Sequence, residues 1–442
     1  MIEQRIHELV GPSSGPESLG ERVRRLRAER GLSQTGLAGD RFTKEYVSQI
    51  ERGKTRPTAH TIEWLAGRLG VDREFLETGI ARDERLRVES VLAQAEAAVE
   101  AKRYEDGLDV LEGIDPKTPD LKLKALQVES WARMMLGDVR PALTLAEAAR
   151  EIAERPNFSD IDRADVLYRL GCCRYKLSSI STATALFTQA LELATRSDLP
   201  CDRLRAHVLE WRSRCYRRQR DFEAAREDVE HALELAEGLG DQETMAHIFL
   251  QASLVAERQG HWVRSRSYAE RSKAIYEELT DRQSVARLLN NLGGLAHLLG
   301  RSDQAIQHLK DAFAHALDLG ATAEAAVAIS SLAQVNLGLG DAALAESQAR
   351  QGLELLGDRV DLLDVIGGAQ LALGQALLQQ DRYDEAEAIL RTAEASFEQL
   401  SSDSHRAAVW VTQGDLASAR GNDRAAARLY RRAAETLQDF RF

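Results

Sequence analysis

The sequence predicts an all-α protein in two parts, a small bundle of short helices followed by a long array of helical hairpins. Three observations predict it. Proline and aromatic residues are scarce, at 8 prolines and 5% aromatics in 442 residues, while Ala, Leu, Glu and Arg abound, and such a composition favours helix over strand. From Leu19 to Gly79 short amphipathic segments are separated by Gly31, by Gly53 to Pro57 and by Gly70. After Asp83 the texture changes to long amphipathic stretches that repeat mostly 40 to 42 residues apart, and a period in this range marks a repeat architecture.

Composition excludes several classes of protein. At 44% hydrophobic and 29% charged the chain can bury a large core and is neither disordered nor fibrous. The longest apolar runs, such as Leu288 to Leu299, are broken by Asn, Gly and His and fall short of the ~20 residues that span a bilayer. The opening MIEQRIHELVGPSSGPES lacks the apolar core of a secretory signal, so a cytoplasmic protein without a membrane partner is expected. Cys172, Cys173, Cys201 and Cys215 have no CxxC spacing and read as packing residues rather than a metal site or disulfide framework. The net charge is -12, yet the stretch from Arg22 to Arg56 holds ten Lys or Arg against four Asp or Glu. A compact basic block on an acidic body implies a surface that faces phosphate.

Residues 1–16 form an N-terminal tail, in which Ile2, Ile6 and Leu9 line one face of a short helix before GPSSGP breaks the pattern. A five-helix domain follows over 17–80. Leu19 to Arg30 is amphipathic, with Val23 and Leu26 inward. Ser33 caps a helix that opens Gln34-Thr35-Gly36-Leu37-Ala38, and Thr43 caps one from Lys44 to Arg52. Ile62, Leu65, Ala66 and Leu69 line the next, and Phe75 and Leu76 close the bundle. Residues 81–87 read as a linker and 88–442 as the repeat domain.

The stretch LSQTGLAGDRFTKEYVSQIERGKTRP, from Leu32 to Pro57, resembles the lambda-repressor/Cro-like helix-turn-helix family, the xenobiotic-response-element type. The hallmarks are Ser33-Gln34, Leu37-Ala38, the string Val47 to Gly53, and Pro57 after a basic loop. The turn Gly39-Asp40-Arg41-Phe42 is a residue shorter than usual, which leaves its geometry open, but Phe42, Val47 and Ile50 remain spaced to pack inward. The resemblance implies that Thr43 to Gln49 enters the major groove of double-stranded DNA. Lys44, Glu45, Tyr46 and Gln49 would face base edges, with Ser48 near the backbone. Gln34, Arg52, Lys54 and Arg56 would meet phosphates. It also implies that Glu51 pairs internally with Arg27, and that a homodimer binds a palindromic operator.

In the repeats an aromatic or apolar residue is followed by a small one three later, a large apolar one four later and another small one three after that. Ile180, Ala183, Phe187 and Ala190 show it, as do Phe222, Ala225, Val229 and Ala232, and Tyr383, Ala386, Leu390 and Ala393. Nine units begin near Val88, Leu123, Ala164, Ala206, Ala246, Ala286, Ala326, Gly367 and Ala407, with Leu170-Gly171, Leu292-Gly293, Leu332-Ala333 and Leu373-Gly374 in the first helix of theirs. The pattern resembles tetratricopeptide repeats, whose spacing is usually 34, so longer helices are expected. That resemblance implies a right-handed superhelix of about nine hairpins whose first helices line a concave groove. The inward positions select Tyr168, Arg169, Lys176, Trp211, Arg214, Arg218, Gln251, Asn290, Asn291 and Gln334 as ligand contacts; Arg and amide groups there suit a peptide.

The two-part organisation is similar to that of bacterial peptide-sensing transcriptional regulators, which implies a one-component regulator. The alternative is an adaptor whose repeats dock a partner protein while the N-domain holds it on DNA. The apolar end at Phe440 and Phe442 points to a dimer contact in the repeats. No GxxxxGK[ST], HExxH or GxSxG motif occurs, and neither an enzyme activity nor a cofactor is expected.

Overall fold

The computed structural model describes residues 17–357, 362–400 and 403–438, and these hold helices and turns without a strand. The helix expected over Ile2 to Leu9 and the Phe440/Phe442 end lie outside them. Five short helices come first: α1 (Leu19–Glu29), α2 (Gln34–Ala38), α3 (Lys44–Glu51), α4 (Ala59–Leu69) and α5 (Arg73–Thr78). Eighteen follow in alternation as first and second helices of nine repeats: α6 (Arg82–Glu100), α7 (Tyr104–Leu111), α8 (Pro119–Leu136), α9 (Val139–Ala153), α10 (Asp160–Lys176), α11 (Ile180–Arg196), α12 (Asp202–Gln219), α13 (Phe222–Leu239), α14 (Gln242–Arg258), α15 (Trp262–Glu278), α16 (Arg282–Leu298), α17 (Ser302–Asp318), α18 (Thr322–Gly338), α19 (Ala342–Leu356), α20 (Leu363–Gln379), α21 (Tyr383–Gln399), α22 (Asp403–Ala419) and α23 (Asp423–Gln438). None of the described helices is long and apolar enough to cross a membrane. The chain divides into two compact units, one ending at Arg220 and the other beginning at Asp221.

The first unit contains the five-helix bundle. Ser18 opens α1 with a capping box: its Oγ accepts from the Glu21 backbone at 3.3 Å, and its own N–H donates to the Glu21 carboxylate at 2.8 Å. Val23, Leu26, Leu37, Val47, Ile50, Leu65, Leu69 and Leu76 form the bundle core.

The expected linker over 81–87 is a correction. The chain is helical from Arg82, because Asp83 and Glu84 complement the N-terminal dipole of α6 and no Gly or Pro interrupts it. Arg85 joins three helices, reaching Glu74 of α5 at 3.2 Å, Glu89 of α6 at 2.8 Å and Asp120 of α8 at 2.6 Å.

The 40-residue period follows from helix length. In the second unit α14 to α18 are 17 residues each, and two such helices with two three-residue turns make forty. At each hairpin turn the residue two before the second helix takes a left-handed conformation. Glycine fills it at 137, 260, 300, 340 and 421, whereas Lys102, Ser178, Arg220 and Asp381 adopt it against their preference.

Close packing explains the small residues of the first helices. A Cβ on Gly171 would stand 2.5 Å from the Phe187 ring, one on Gly293 2.5 Å from Leu309, one on Gly374 2.6 Å from Leu390 and one on Gly414 2.5 Å from Tyr430. In every case the partner lies sixteen residues on, one step round the hairpin. Where the later residue is small, as at Ala349, the earlier position tolerates Ala333, and both are fully buried. The hairpins therefore trade volume between two fixed positions. Gly171→Ala is expected to destabilise the first unit by about 1 to 3 kcal/mol through overpacking, read from denaturant unfolding, and Phe187→Leu added to it should recover part of the loss.

Candidate nucleic-acid interface

Helices α2 and α3 are held by their caps. Ser33 Oγ accepts from the Gly36 N–H at 2.9 Å and Thr43 Oγ1 from the Tyr46 N–H at 3.2 Å. Between them Gly39 takes φ +56°, so a glycine makes the shortened turn. Gly20 lets α1 approach the end of α3, because a Cβ there would meet the Ile50 carbonyl oxygen at 2.4 Å.

Val47 and Ile50 of α3 are buried, which turns Lys44, Glu45 and Gln49 outward as exposed side chains, with Arg52, Lys54 and Arg56 exposed just beyond. Ser48 is half-buried. Tyr46 is also half-buried, its ring 5.3 Å from that of Phe42, which in turn meets Trp64 edge-on at 5.0 Å. Gln49 Oε1 accepts from the Thr55 hydroxyl at 3.1 Å, so the basic loop steadies it.

Glu51 sits beneath this face with only 4% of its side chain exposed. Arg27 Nε donates to its Oε1 at 2.5 Å and Nη2 to its Oε2 at 3.2 Å, as the family resemblance implied. Burial pushes the Glu51 carboxyl up, but hydrogen bonds from Arg27 and Gln34 outweigh it and hold the group below the usual carboxylate range. Gln34 has an internal role that the sequence did not show: its side-chain amide donates to Glu51 Oε2 at 2.7 Å and braces the ion pair, with the residue half-buried.

The basic block is corrected in part. Arg22 is buried and donates to the carbonyls of Leu76 at 3.0 Å and Glu77 at 2.9 Å, tying α1 to α5. Arg25 pairs with Glu17 and Glu29, and Arg30 reaches the Gly70 carbonyl. Arg22, Arg27 and Arg30 thus tie α1 to other parts of the bundle, while Arg24, Arg25 and Arg41 are exposed together with Lys44, Arg52, Lys54 and Arg56.

The residues expected to line a ligand groove divide between the two units. In the first, Tyr168 and Trp211 are corrections, because both are buried in a core cluster. Tyr168 stacks on Trp131 at 5.8 Å, and Trp211 meets Tyr175 edge-on at 5.6 Å. Arg169 pairs with Asp165 at 2.8 Å and lies 5.5 Å over Trp131. Arg214 binds Glu210 through Nε at 2.6 Å and lies 4.4 Å over Trp211. These two cations are therefore neutralised within the repeats. Lys176 and Arg218 are exposed, Arg218 lying 5.4 Å over Tyr175. In the second unit Gln251 is buried, Asn290 and Asn291 are half-buried and Gln334 is exposed. The buried side-chain oxygens of Gln251, Asn290 and Asn291 have no hydrogen-bond partner among the described residues.

Comparison with known proteins matches residues 18–78 to the helix-turn-helix domain and residues 206–238 and 366–439 to the tetratricopeptide repeat. The regulator y4dJ of Sinorhizobium fredii is 41% identical over 61 residues, which are 14% of this chain and 79% of that protein. The chain belongs to the HTH-type transcriptional regulators. The HTH-type regulator DdrOP3 of Deinococcus deserti is 40% identical over 63 residues, 14% of this chain, and the match spans 49% of its length. The apo quorum sensor NprR of B. thuringiensis aligns with a TM-score of 0.60 at 13% identity, over 79% of this chain and 99% of its own. A Rap protein complexed with Competence and Sporulation Factor aligns at 0.56 and 16% identity, over 80% and 98%. At such identities these two establish a shared fold.

In this HTH-type regulator the sequence pattern missed Gly20, Arg22, Trp64 and Arg68. Arg68 donates to the Gly36 carbonyl at 2.6 Å and lies 5.5 Å over Trp64, fixing α2 to α4. One signal was present for Arg22: it shares the helical face of Leu19 and Leu26, where an outward cation does not belong. For the Gly20–Ile50, Trp64–Phe42 and Arg68–Gly36 contacts the partners are more than twenty residues apart, and no local pattern carries them.

Proposed function

We propose that the protein is a cytoplasmic, sequence-specific DNA-binding regulator that docks α3 in the major groove of a palindromic operator as a homodimer, and that its repeats sense an extended peptide. One observation carries the DNA reading. The Arg27–Glu51–Gln34 network and the Phe42–Tyr46–Trp64 packing fix α3 from below while Lys44, Glu45 and Gln49 stand outward, where they can meet base edges. Lys54 and Arg56 flank them as phosphate contacts. Two half-sites about 34 Å apart would each take one such domain.

Support for the peptide reading comes from the amides of the second unit. Gln251 and Asn291 occupy the sixth position of consecutive repeats, and their acceptors, with that of Asn290, are buried without a partner among the described residues. A buried unmet acceptor costs about 1 to 3 kcal/mol, which backbone N–H groups of an extended peptide would offset.

Genome-wide footprinting with and without a peptide fraction shed by the source cells tests both halves. The expected result is protection of a palindrome upstream of the target genes that changes when peptide is added. Gln251→Ala with Asn291→Ala should weaken the peptide response about thirtyfold, one hydrogen bond each at ~1 kcal/mol, with affinity for DNA unchanged. DNA protection that ignores peptide, combined with capture of a protein on the repeats, would favour the adaptor reading. A monomeric mass by light scattering at micromolar protein, with and without operator, would overturn the dimer.

A further inference from the structure

One bond recurs between successive hairpins. The fourteenth residue of a repeat, at the end of its first helix, donates back to the second helix of the repeat before. Gln219 reaches Thr184 at 3.3 Å, Gln259 reaches Glu223 at 3.0 Å, and Gln380 reaches Glu346 at 2.9 Å. Arg420 reaches Glu387 at 2.6 Å and Asp384 at 2.5 Å. These acceptors stand second or fifth in α11, α13, α19 and α21. In these four steps the edge of a second helix that faces the next hairpin carries acceptors, and the first helix that covers it carries donors.

On α23 the corresponding edge is inverted in charge. The helix sits in its hairpin as α21 does, with Tyr430 against Gly414 where Leu390 meets Gly374. Arg424 stands second, where α13 has Glu223 and α21 has Asp384, and Ala427 stands fifth, where α19 has Glu346 and α21 has Glu387. Ala434 stands twelfth, where Glu394 of α21 accepts from Trp410 at 2.7 Å and from Gln413 at 3.1 Å. Arg431 stands ninth, as do Arg350 and Arg391, but those two pair with the glutamates one turn earlier and Ala427 offers no acid. Arg424, Ala427, Arg428, Arg431 and Ala434 are all exposed. Among the described residues the three arginines form no ion pair, and Asp423 and Glu435 of the same helix join none of them. A hairpin like those before it would bring Gln or Arg against guanidinium groups, so the edge repels a further repeat of the same kind. A cap needs only a polar face, and surfaces ordinarily intersperse both signs. Three unpaired arginines on consecutive turns, in a chain of net charge -12, call for an anionic partner.

We propose that this edge docks an acidic helix of a partner protein, in the place that a further first helix would hold. A helix covers the same edge in the four steps above, and the exposed Ala427 and Ala434, two turns apart on α23, let a helix approach closely. A surface made for DNA phosphate has no use for small residues at those two packing positions. Arg424, Arg428 and Arg431 share one face at spacing i, i+4, i+7 and rise about 6.0 Å and then about 4.5 Å along the axis. A partner helix with Glu or Asp at the matching spacing sets one carboxylate against each guanidinium, whose planar fork suits it. The edge is separate from α3 and from the amide positions of α14 and α16, so it stands or falls independently of the function proposed above.

The test is fluorescence anisotropy of the full chain with a labelled, Ala-rich synthetic helix that carries Glu at i, i+4 and i+7 on one face. The expected result is binding at least tenfold tighter than that of a peptide of equal composition whose glutamates are spread round the helix, and weaker at high salt. Arg424→Glu with Arg431→Glu should lower binding at least tenfold, and that chain should instead bind the same peptide with Lys in place of Glu. Helical content and operator affinity should stay unchanged. Equal binding of the two Glu peptides, or full binding by the charge-reversed chain, overturns the proposal. So does loss of affinity for a random duplex in the charge-reversed chain, which would assign the edge to DNA phosphate. Sedimentation showing self-association that the reversal abolishes also overturns it, since a second copy would then cover the edge.

Discussion

Replacing Arg27 by Ala is expected to cost the helix-turn-helix bundle about 3 to 5 kcal/mol, because it leaves Glu51 buried and charged with Gln34 as its remaining partner. Against a total stability of roughly 5 to 15 kcal/mol for a domain, that loss exposes α1 and α3 to solvent for a measurable part of the time. Hydrogen exchange in the full chain reads it directly, since the amides of the bundle report their own opening rather than that of the repeats. Glu51→Gln removes the charge, keeps an acceptor for Arg27, and should cost less. The same pair sets a pH dependence. The Glu51 carboxyl lies below its ordinary value of 4.5 in the folded chain, so its stabilising contribution is complete above about pH 4.5 and is lost as pH falls through the depressed folded value. Protection of α1 and α3 that is equal in the Arg27→Ala and native chains would show that the network does not hold the recognition helix.

The second large effect is on DNA. Lys44→Ala with Gln49→Ala should remove two base contacts worth ~1 to 3 kcal/mol each, so that binding to the operator falls toward that for a scrambled duplex. Lys54→Ala should weaken both duplexes alike and reduce the salt slope by about 1. Tyr46 needs a different substitution. Its ring packs on Phe42, so Tyr46→Ala mixes lost packing with lost contact, whereas Tyr46→Phe keeps the packing and isolates the hydroxyl. A double variant that retains full discrimination between operator and scrambled duplex would show that another segment reads the bases.

Local patterns carried much of this molecule. Serine and threonine ahead of apolar periodicity located α2 and α3, and the Arg27–Glu51 pair followed from the family string around Val47 to Gly53. The repeat frame located the hairpins because each repeat has the same packing problem, a small residue of the first helix facing a larger one sixteen residues on. Periodicity failed at residues 81–87, where a charged, weakly apolar stretch read as a linker although its acidic first turn and an Arg85–Glu89 pair begin a helix.

Sequence by itself determined the all-α class, the two-part organisation, the helix caps and the inward set Val23, Leu26, Val47 and Ile50, because each depends on residues within a turn or two of one another. Tertiary structure alone decided which charged and aromatic side chains are available to a partner. Arg22 looked like part of a phosphate surface and is an internal brace; Tyr168 and Trp211 looked like groove contacts and are core. The physical reason is that helical periodicity assigns a side chain to a face but cannot say what packs against that face. A buried carbonyl, a carboxylate or a second ring brought from tens of residues away captures a guanidinium or an aromatic side chain that would otherwise face solvent.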